Sequence, residues 1–356
     1  MSSADSEPQV AGAALGSLVP ERAPALFRAP LVSGTLFALA AGLMWGLVFV
    51  GPLLLPEYPA TLQSFGRYLA FGLIALPLAR FDRATLARLT RSDWVEALKL
   101  ALVGNIVYYL FLASSIQRAG GPLPTIIIGT LPVVIAITAN LRTARAGMRV
   151  EASLPWLRLL PSLALIGAGI ALVNHVELVH LRADPSADLA RYAIGALLAV
   201  GAVVCWTWYP IRNSEWLRAH PDRSPRGWAT AQGLATLPLA LVGYALTWAW
   251  FAMADVPFAM PLGPRPLFFV GLMLAIGLLA SWLGPLCWNE ASQRLPPALA
   301  GQLIVFETLA ALAYAFVLRG QTPQAQTVAG IALLVAGVLW ALRTRPAAES
   351  ADAHPN

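Results

Sequence analysis

Apolar residues run through this chain in long blocks, and charged residues collect at the joints between them. Ten blocks stand out, near 31–50, 60–79, 94–116, 121–141, 157–175, 190–210, 227–251, 266–288, 296–318 and 325–342. Each is close to the roughly 20 residues that an α-helix, rising about 1.5 Å per residue, needs to cross about 30 Å of hydrocarbon. The pattern predicts an all-α integral membrane protein with ten transmembrane helices. Residues 1–30, rich in Ala, Ser, Pro and Glu, are expected to be a disordered tail. Their apolar residues never gather into the core of a signal peptide. A second short tail is expected over 344–356.

The blocks repeat. Gly34, Leu36, Ala38, Ala41 and Trp45 recur at the same spacing as Gly195, Leu197, Ala199, Ala202 and Trp206. Gly34, Ala38, Ala41 and Trp45 lie along one stripe of a helix, and small residues there let helices approach closely in lipid. Three weaker matches follow in order: Ala60, Thr61 and Gln63 with Ala229, Thr230 and Gln232; Gln117-Arg118 with Gln293-Arg294; and Ala164-Leu165, Ala168-Gly169 with Ala332-Leu333, Ala336-Gly337. The chain therefore divides into one five-helix repeat over 31–177 and a second over 190–343. Five is odd, so the second repeat enters the membrane from the opposite side and the two are expected to be inverted. Carriers built this way place their substrate near mid-membrane between the halves and expose it to each side in turn.

Composition agrees: 58 % of residues are hydrophobic, 12 % are charged and the mean hydropathy is +0.66, which does not describe a soluble domain. A net charge of +6 would suggest nucleic acid in a soluble protein, but the arginines are distributed by side. With alternate joints assigned to opposite faces, seventeen arginines fall on one face. Only Arg118, Arg182, Arg191, Arg265 and Arg319 fall on the other. Positive residues stay inside, so both termini are expected in the cytoplasm and no nucleic-acid partner is implied. Cys205 and Cys287 read as small buried residues, with neither metal spacing nor a disulfide framework.

Trp45-Gly46, Arg67, Leu131-Pro132, Glu307 and Gly330-x-x-Leu333-x-x-x-Gly337 resemble the drug/metabolite transporter superfamily, of the ten-helix EamA-like kind. The similarity spans about 31–343, and within the superfamily the chain looks closest to YddG-type aromatic amino-acid exporters. Two departures matter. Thr308 stands where the family often has Pro after the ninth-span Glu, and Arg319-Gly320-Gln321 stands where it often has an acidic residue. The resemblance implies export of small metabolites from a bacterial inner membrane.

Charges inside a bilayer cost about 2.5–3.5 kcal/mol each on insertion scales and are functional candidates by default. Arg67 and Glu307 lie roughly 11 and 16 Å from the same membrane face. They are expected to be either a gating or substrate-sensing ion pair or a structural one. Lys99 is expected to reach back to the interface. Asn105, Tyr108 and Tyr109 form a polar-aromatic stripe in the third span that suits a cavity wall, or a packing contact through Asn105. The aligned eighth-span positions, Ser281, Gly284 and Pro285 with Trp282 adjacent, are expected to line the cavity as a broken helix, or to form a packing kink. Pro285 and, in the fourth span, Pro132 are expected to kink their helices. Trp45 and Trp206 sit too deep for the interfacial belt and read as cavity walls or as packing knobs between the halves. Trp208 and Tyr209 read as belt residues. Gln302, on a face near but not identical to that of Glu307, is also expected to line the cavity.

These residues predict a secondary carrier for small amphipathic metabolites, amino acids including aromatic ones, acting as a monomer within the bilayer and without cofactor or metal. A multidrug or quaternary-cation exporter is the nearest alternative, since aromatic walls favour cations. A nucleotide-sugar carrier would want more basic residues in the cavity. An intramembrane enzyme would want clustered catalytic groups. His175, His180, His220 and His354 all lie in loops or the tail.

Overall fold

Within hydrocarbon a single segment can satisfy its backbone only as a helix, and helices are what these apolar blocks form. A computed structural model describes residues 25–131, 133–135, 137–138, 156–183, 188–220, 222–294, 303–320 and 322–343. Among these residues there is no strand. The first half holds α1 (Ala25–Gly46), a 3-10 turn (Leu47–Phe49), α2 (Val50–Leu54), α3 (Ala60–Phe81), α4 (Arg83–Leu86) and α5 (Arg91–Leu100). A π-helical segment (Ala101–Val107), α6 (Tyr108–Ala119), α7 (Pro122–Ile128) and α8 (Trp156–Ala183) follow. The second half holds α9 (Leu189–Ala219), α10 (Pro225–Met253), α11 (Pro266–Leu278), a π-helical turn (Leu279–Leu283), α12 (Gly284–Arg294), α13 (Val305–Arg319) and α14 (Ala325–Arg343).

Among the described residues six stretches are long and apolar enough to cross a membrane: Val32–Leu54, Ala60–Phe81, Arg91–Ala119, Leu189–Leu217, Pro225–Met253 and Pro266–Ala291. Shorter apolar helical stretches occupy Pro122–Ile135, Leu160–Gly169, Phe306–Leu318 and Ala325–Gly337. The first helix begins at Ala25, inside the segment assigned from sequence to the tail. The fourth block turns at Gly129–Thr130. Pro132, expected to bend it, lies outside the described residues.

The packing is that of a protein whose outer solvent is apolar. Leu36, Leu197, Leu246 and Leu267 stand on the outside, while Gln63, Ser64, Arg67, Gln232, Thr236 and Glu307 are buried. Helix ends carry local caps. Thr90 and Asp93 form a reciprocal capping box at α5, Ser224 caps α10, and Gly320 ends α13 with a left-handed φ of 59°.

Neighbours in space are rarely neighbours in sequence. α1 packs on α12 and α13, while α9 packs on α6 and α7; α3 runs against α10, and α8 against α14. The last pair approaches very closely. A Cβ placed on Gly169 would lie 2.6 Å from the Gly330 carbonyl oxygen, and Ser162 Oγ donates to the Gly337 carbonyl at 2.6 Å.

One end of the α3–α10 flank is tied by ions. Arg226 donates twice to Asp82 Oδ1 (2.6 and 2.8 Å), and Thr230 Oγ1 donates to Asp82 Oδ2 at 2.7 Å. Beside it, Arg212 of α9 donates twice to Glu96 Oε1 of α5, and Arg88, after α4, reaches Asp222, after α9. Lys99 sits at the same end, 3.6 Å from Glu96 and more than half exposed, as expected of a residue reaching the interface. The opposite end is tied through Tyr58, which stacks on Phe269 and donates to the Leu262 carbonyl. There Arg265 donates to Glu57 Oε1 and to the Leu54 carbonyl.

Candidate functional site

The two tryptophans of the sequence repeat meet. Trp45 on α1 and Trp206 on α9 lie edge to face with ring centroids 6.0 Å apart. Trp206 is stacked between Tyr108 at 4.6 Å and Tyr209 at 5.1 Å, and Trp45 also touches Trp288 at 5.3 Å. Glycines make the space: a Cβ on Gly104 would lie 2.1 Å from the Tyr209 ring, and one on Gly284 would lie 2.8 Å from Trp45 Nε1. Four elements, α1, α6, α9 and α12, thus supply one aromatic cluster inside the bundle. Tyr209 is no belt residue. Its ring stacks inward and its hydroxyl donates to Gln232 Oε1 at 2.8 Å.

Arg67 sits beside this cluster on α3, 4 % exposed. Its Nε donates to Ser281 Oγ at 2.9 Å, and its guanidinium lies 4.4 Å from the Tyr109 ring centre and 4.9 Å from that of Tyr68. These faces hold the cation electrostatically, yet its Nη1 is buried with no hydrogen-bond acceptor. The indole nitrogens of Trp45 and Trp282 are buried without acceptors as well. Such orphans are uncommon in folded proteins.

Glu307, 2 % exposed, lies in the first turn of α13, where the helix dipole favours an anion. Among the described residues its carboxylate forms neither a hydrogen bond nor an ion pair with Arg67 within 4.0 Å, although the fields of both charges reach Tyr108. The two charges share a neighbourhood without touching.

The third-span stripe divides. A π-helical segment holds one more residue per turn than an α-helix, so it swings the residues beyond it around the axis. Asn105, within the segment, donates to Thr236 Oγ1 on α10 at 3.1 Å, the packing role that was its alternative. Tyr108 faces Trp206, and among the described residues its hydroxyl makes no hydrogen bond. Tyr109 is fully buried and donates to the Val48 carbonyl at 3.0 Å. A π-turn also precedes Pro285, so the distortion expected from the proline begins at Leu279, before it. Gln302 lies outside the described residues. Thr236, Tyr209 and Trp288 were absent from the sequence-based set, and only the helical offset of Tyr209 from Trp206 hinted at any of them.

A separate cavity of about 270 Å³, lined by Pro52, Leu53, Pro56, Ile116, Gln117 and Arg191, includes no member of the aromatic cluster. Among the described residues no group of three or more His, Cys, Asp or Glu is placed to hold a metal.

Comparison with known proteins shows the family. Residues 32–145 match the model of the EamA-like transporter family. The chain is 55 % identical over 316 residues to the inner membrane protein YtfF of Escherichia coli (strain K12), covering 89 % of this chain and 97 % of that one. A crystal structure of another protein aligns with 87 % of this chain and 97 % of its own, at 19 % identity and a TM-score of 0.56, which speaks for the fold alone. With its apolar helices, buried polar interior and these relatives, the chain belongs to the EamA-like transporter family and is a multi-pass inner-membrane transporter.

Proposed function

We propose that this transporter is a secondary carrier that exports small amphipathic metabolites, amino acids including aromatic ones, from cytoplasm to periplasm. It acts by alternating access at a cavity between two inverted five-helix repeats, 31–177 and 190–343, with both termini cytoplasmic. The observation that carries this reading is the contact of Trp45 with Trp206 at 6.0 Å inside an aromatic cluster flanked by two buried, unpaired charges. Packing supports the repeats. Exchanging the halves turns the α1–α12 contact into α9–α6 and the α1–α13 contact into α9–α7, while α3–α10 and α8–α14 map onto themselves. Both π-helical segments fall in equivalent spans.

Aromatic faces also suit quaternary cations, and the buried carboxylate of Glu307 favours that second reading. The two part in proteoliposomes containing the purified protein. Uptake of labelled L-phenylalanine, inhibited by L-tryptophan and insensitive to excess benzyltrimethylammonium, supports the amino-acid carrier. Uptake of labelled benzyltrimethylammonium with no flux of any amino acid overturns it.

A further inference from the structure

Arg67 and Glu307 are buried, oppositely charged and close, yet they do not neutralise each other. Removing a charge from water is costly, and a structural ion pair would recover that cost by direct contact. Here Arg67 is instead anchored from one side by Ser281 and held between the faces of Tyr68 and Tyr109, with Nη1 left over. Trp282, next to that anchor, and Trp45, packed on Gly284 one turn further along, also present indole N–H groups with no acceptor. Three buried donors without acceptors point to a ligand that brings acceptor oxygens. Glu307, the nearby buried carboxylate, accepts no side-chain hydrogen bond and forms no ion pair among the described residues. The Tyr108–Trp206–Tyr209 stack, whose Tyr108 end lies in the field of both charges, gives this neighbourhood an aromatic wall.

We infer that Arg67 and Glu307 form the two ends of a zwitterion clamp: Arg67 takes the carboxylate of an α-amino acid, Glu307 its ammonium, and the aromatic cluster around Tyr108 borders its side chain. The clamp rests on the amino-acid carrier reading and assigns the roles within it. A carboxylate meets the planar fork of an arginine at two points, and charge-assisted hydrogen bonds are the strong ones. An ion pair between the residues themselves would be replaced, in this arrangement, by two ion pairs through the substrate.

Three ligands separate the two ends: L-phenylalanine, 2-phenylethylamine, which lacks the carboxylate, and 3-phenylpropionate, which lacks the ammonium. Their dissociation constants are measured on the purified full-length protein in detergent. Arg67→Gln is expected to weaken phenylalanine and phenylpropionate about 10- to 100-fold and to leave phenylethylamine unchanged. Glu307→Gln is expected to weaken phenylalanine and phenylethylamine by a similar factor and to spare phenylpropionate. Arg67→Lys, which keeps the charge and loses the fork, carries the same arm with a smaller loss should Arg67→Gln not fold. Either residue's variants weakening both one-charge ligands alike, or neither, overturns the clamp. If the wild type moves phenylalanine in vesicles while the variants fail to discriminate, the clamp falls and the carrier reading stands. Absence of phenylalanine binding and flux in the wild type overturns both.

Discussion

A side chain's role here follows from how completely its polar atoms are met. Asp82 is met fully: its carboxylate takes two bonds from Arg226 and one from Thr230, with the side chain 3 % exposed. Arg226 is half exposed and can fall back on water. Removing the two partners should therefore differ in cost. Arg226→Met, which leaves the buried carboxylate with Thr230 alone, is expected to destabilise by about 3 kcal/mol. Asp82→Asn should cost about 1 kcal/mol. Thermal unfolding in detergent reads the order, and equal losses would show that Asp82 is more hydrated than the structure indicates. Arg67 and Glu307 are the contrasting case. Both could be picked from the sequence because a charge within an apolar block is conspicuous. Their lack of direct contact could not, since depth along a helix fixes height in the membrane and not the azimuth at which a side chain points.

Elements here are shaped by small residues and by changes of helical register. Hydropathy made the apolar blocks legible, because a bilayer dictates both length and composition. It carried no sign of the π-helical segments at Ala101–Val107 and Leu279–Leu283, which alter hydrogen-bond register and leave composition untouched. That is why Asn105 and Tyr108, on one stripe of an ideal helix, face α10 and α9 respectively. The α8–α14 contact gives an internally controlled test. A Cβ on Gly169 would lie 2.6 Å from the Gly330 carbonyl oxygen, whereas one on Gly167, two residues earlier on the same helix, would meet open space. Gly169→Ala should lower stability by about 1–3 kcal/mol through overpacking against backbone. Gly167→Ala should be neutral or slightly stabilising, because alanine is the better helix former. The comparison is again of melting temperatures in detergent, and indistinguishable variants would mean that α8 and α14 separate readily.

At the scale of the molecule, the α3–α10 flank is fastened at one end by the Asp82–Arg226 pair, beside which Glu96–Arg212 joins α5 to α9, and at the other end Tyr58 and Arg265 join the segments that lead into α3 and α11. The aromatic cluster lies between the halves that this flank joins. The stripe from Gly34 to Trp45 and its copy from Gly195 to Trp206 end on tryptophans that meet. Tyr209 is a helical neighbour of Trp206, but Tyr108 and Trp288 come from two further helices whose relative rotation no single-chain pattern encodes. The central claim is that one site, lined by residues of both halves, faces the two sides of the membrane in turn. Counterflow tests it most directly. Proteoliposomes preloaded with unlabelled L-phenylalanine should take up external labelled L-phenylalanine several-fold faster than empty ones, with a transient accumulation above equilibrium. Uptake that is indifferent to the preload would contradict alternating access and leave a pore in its place.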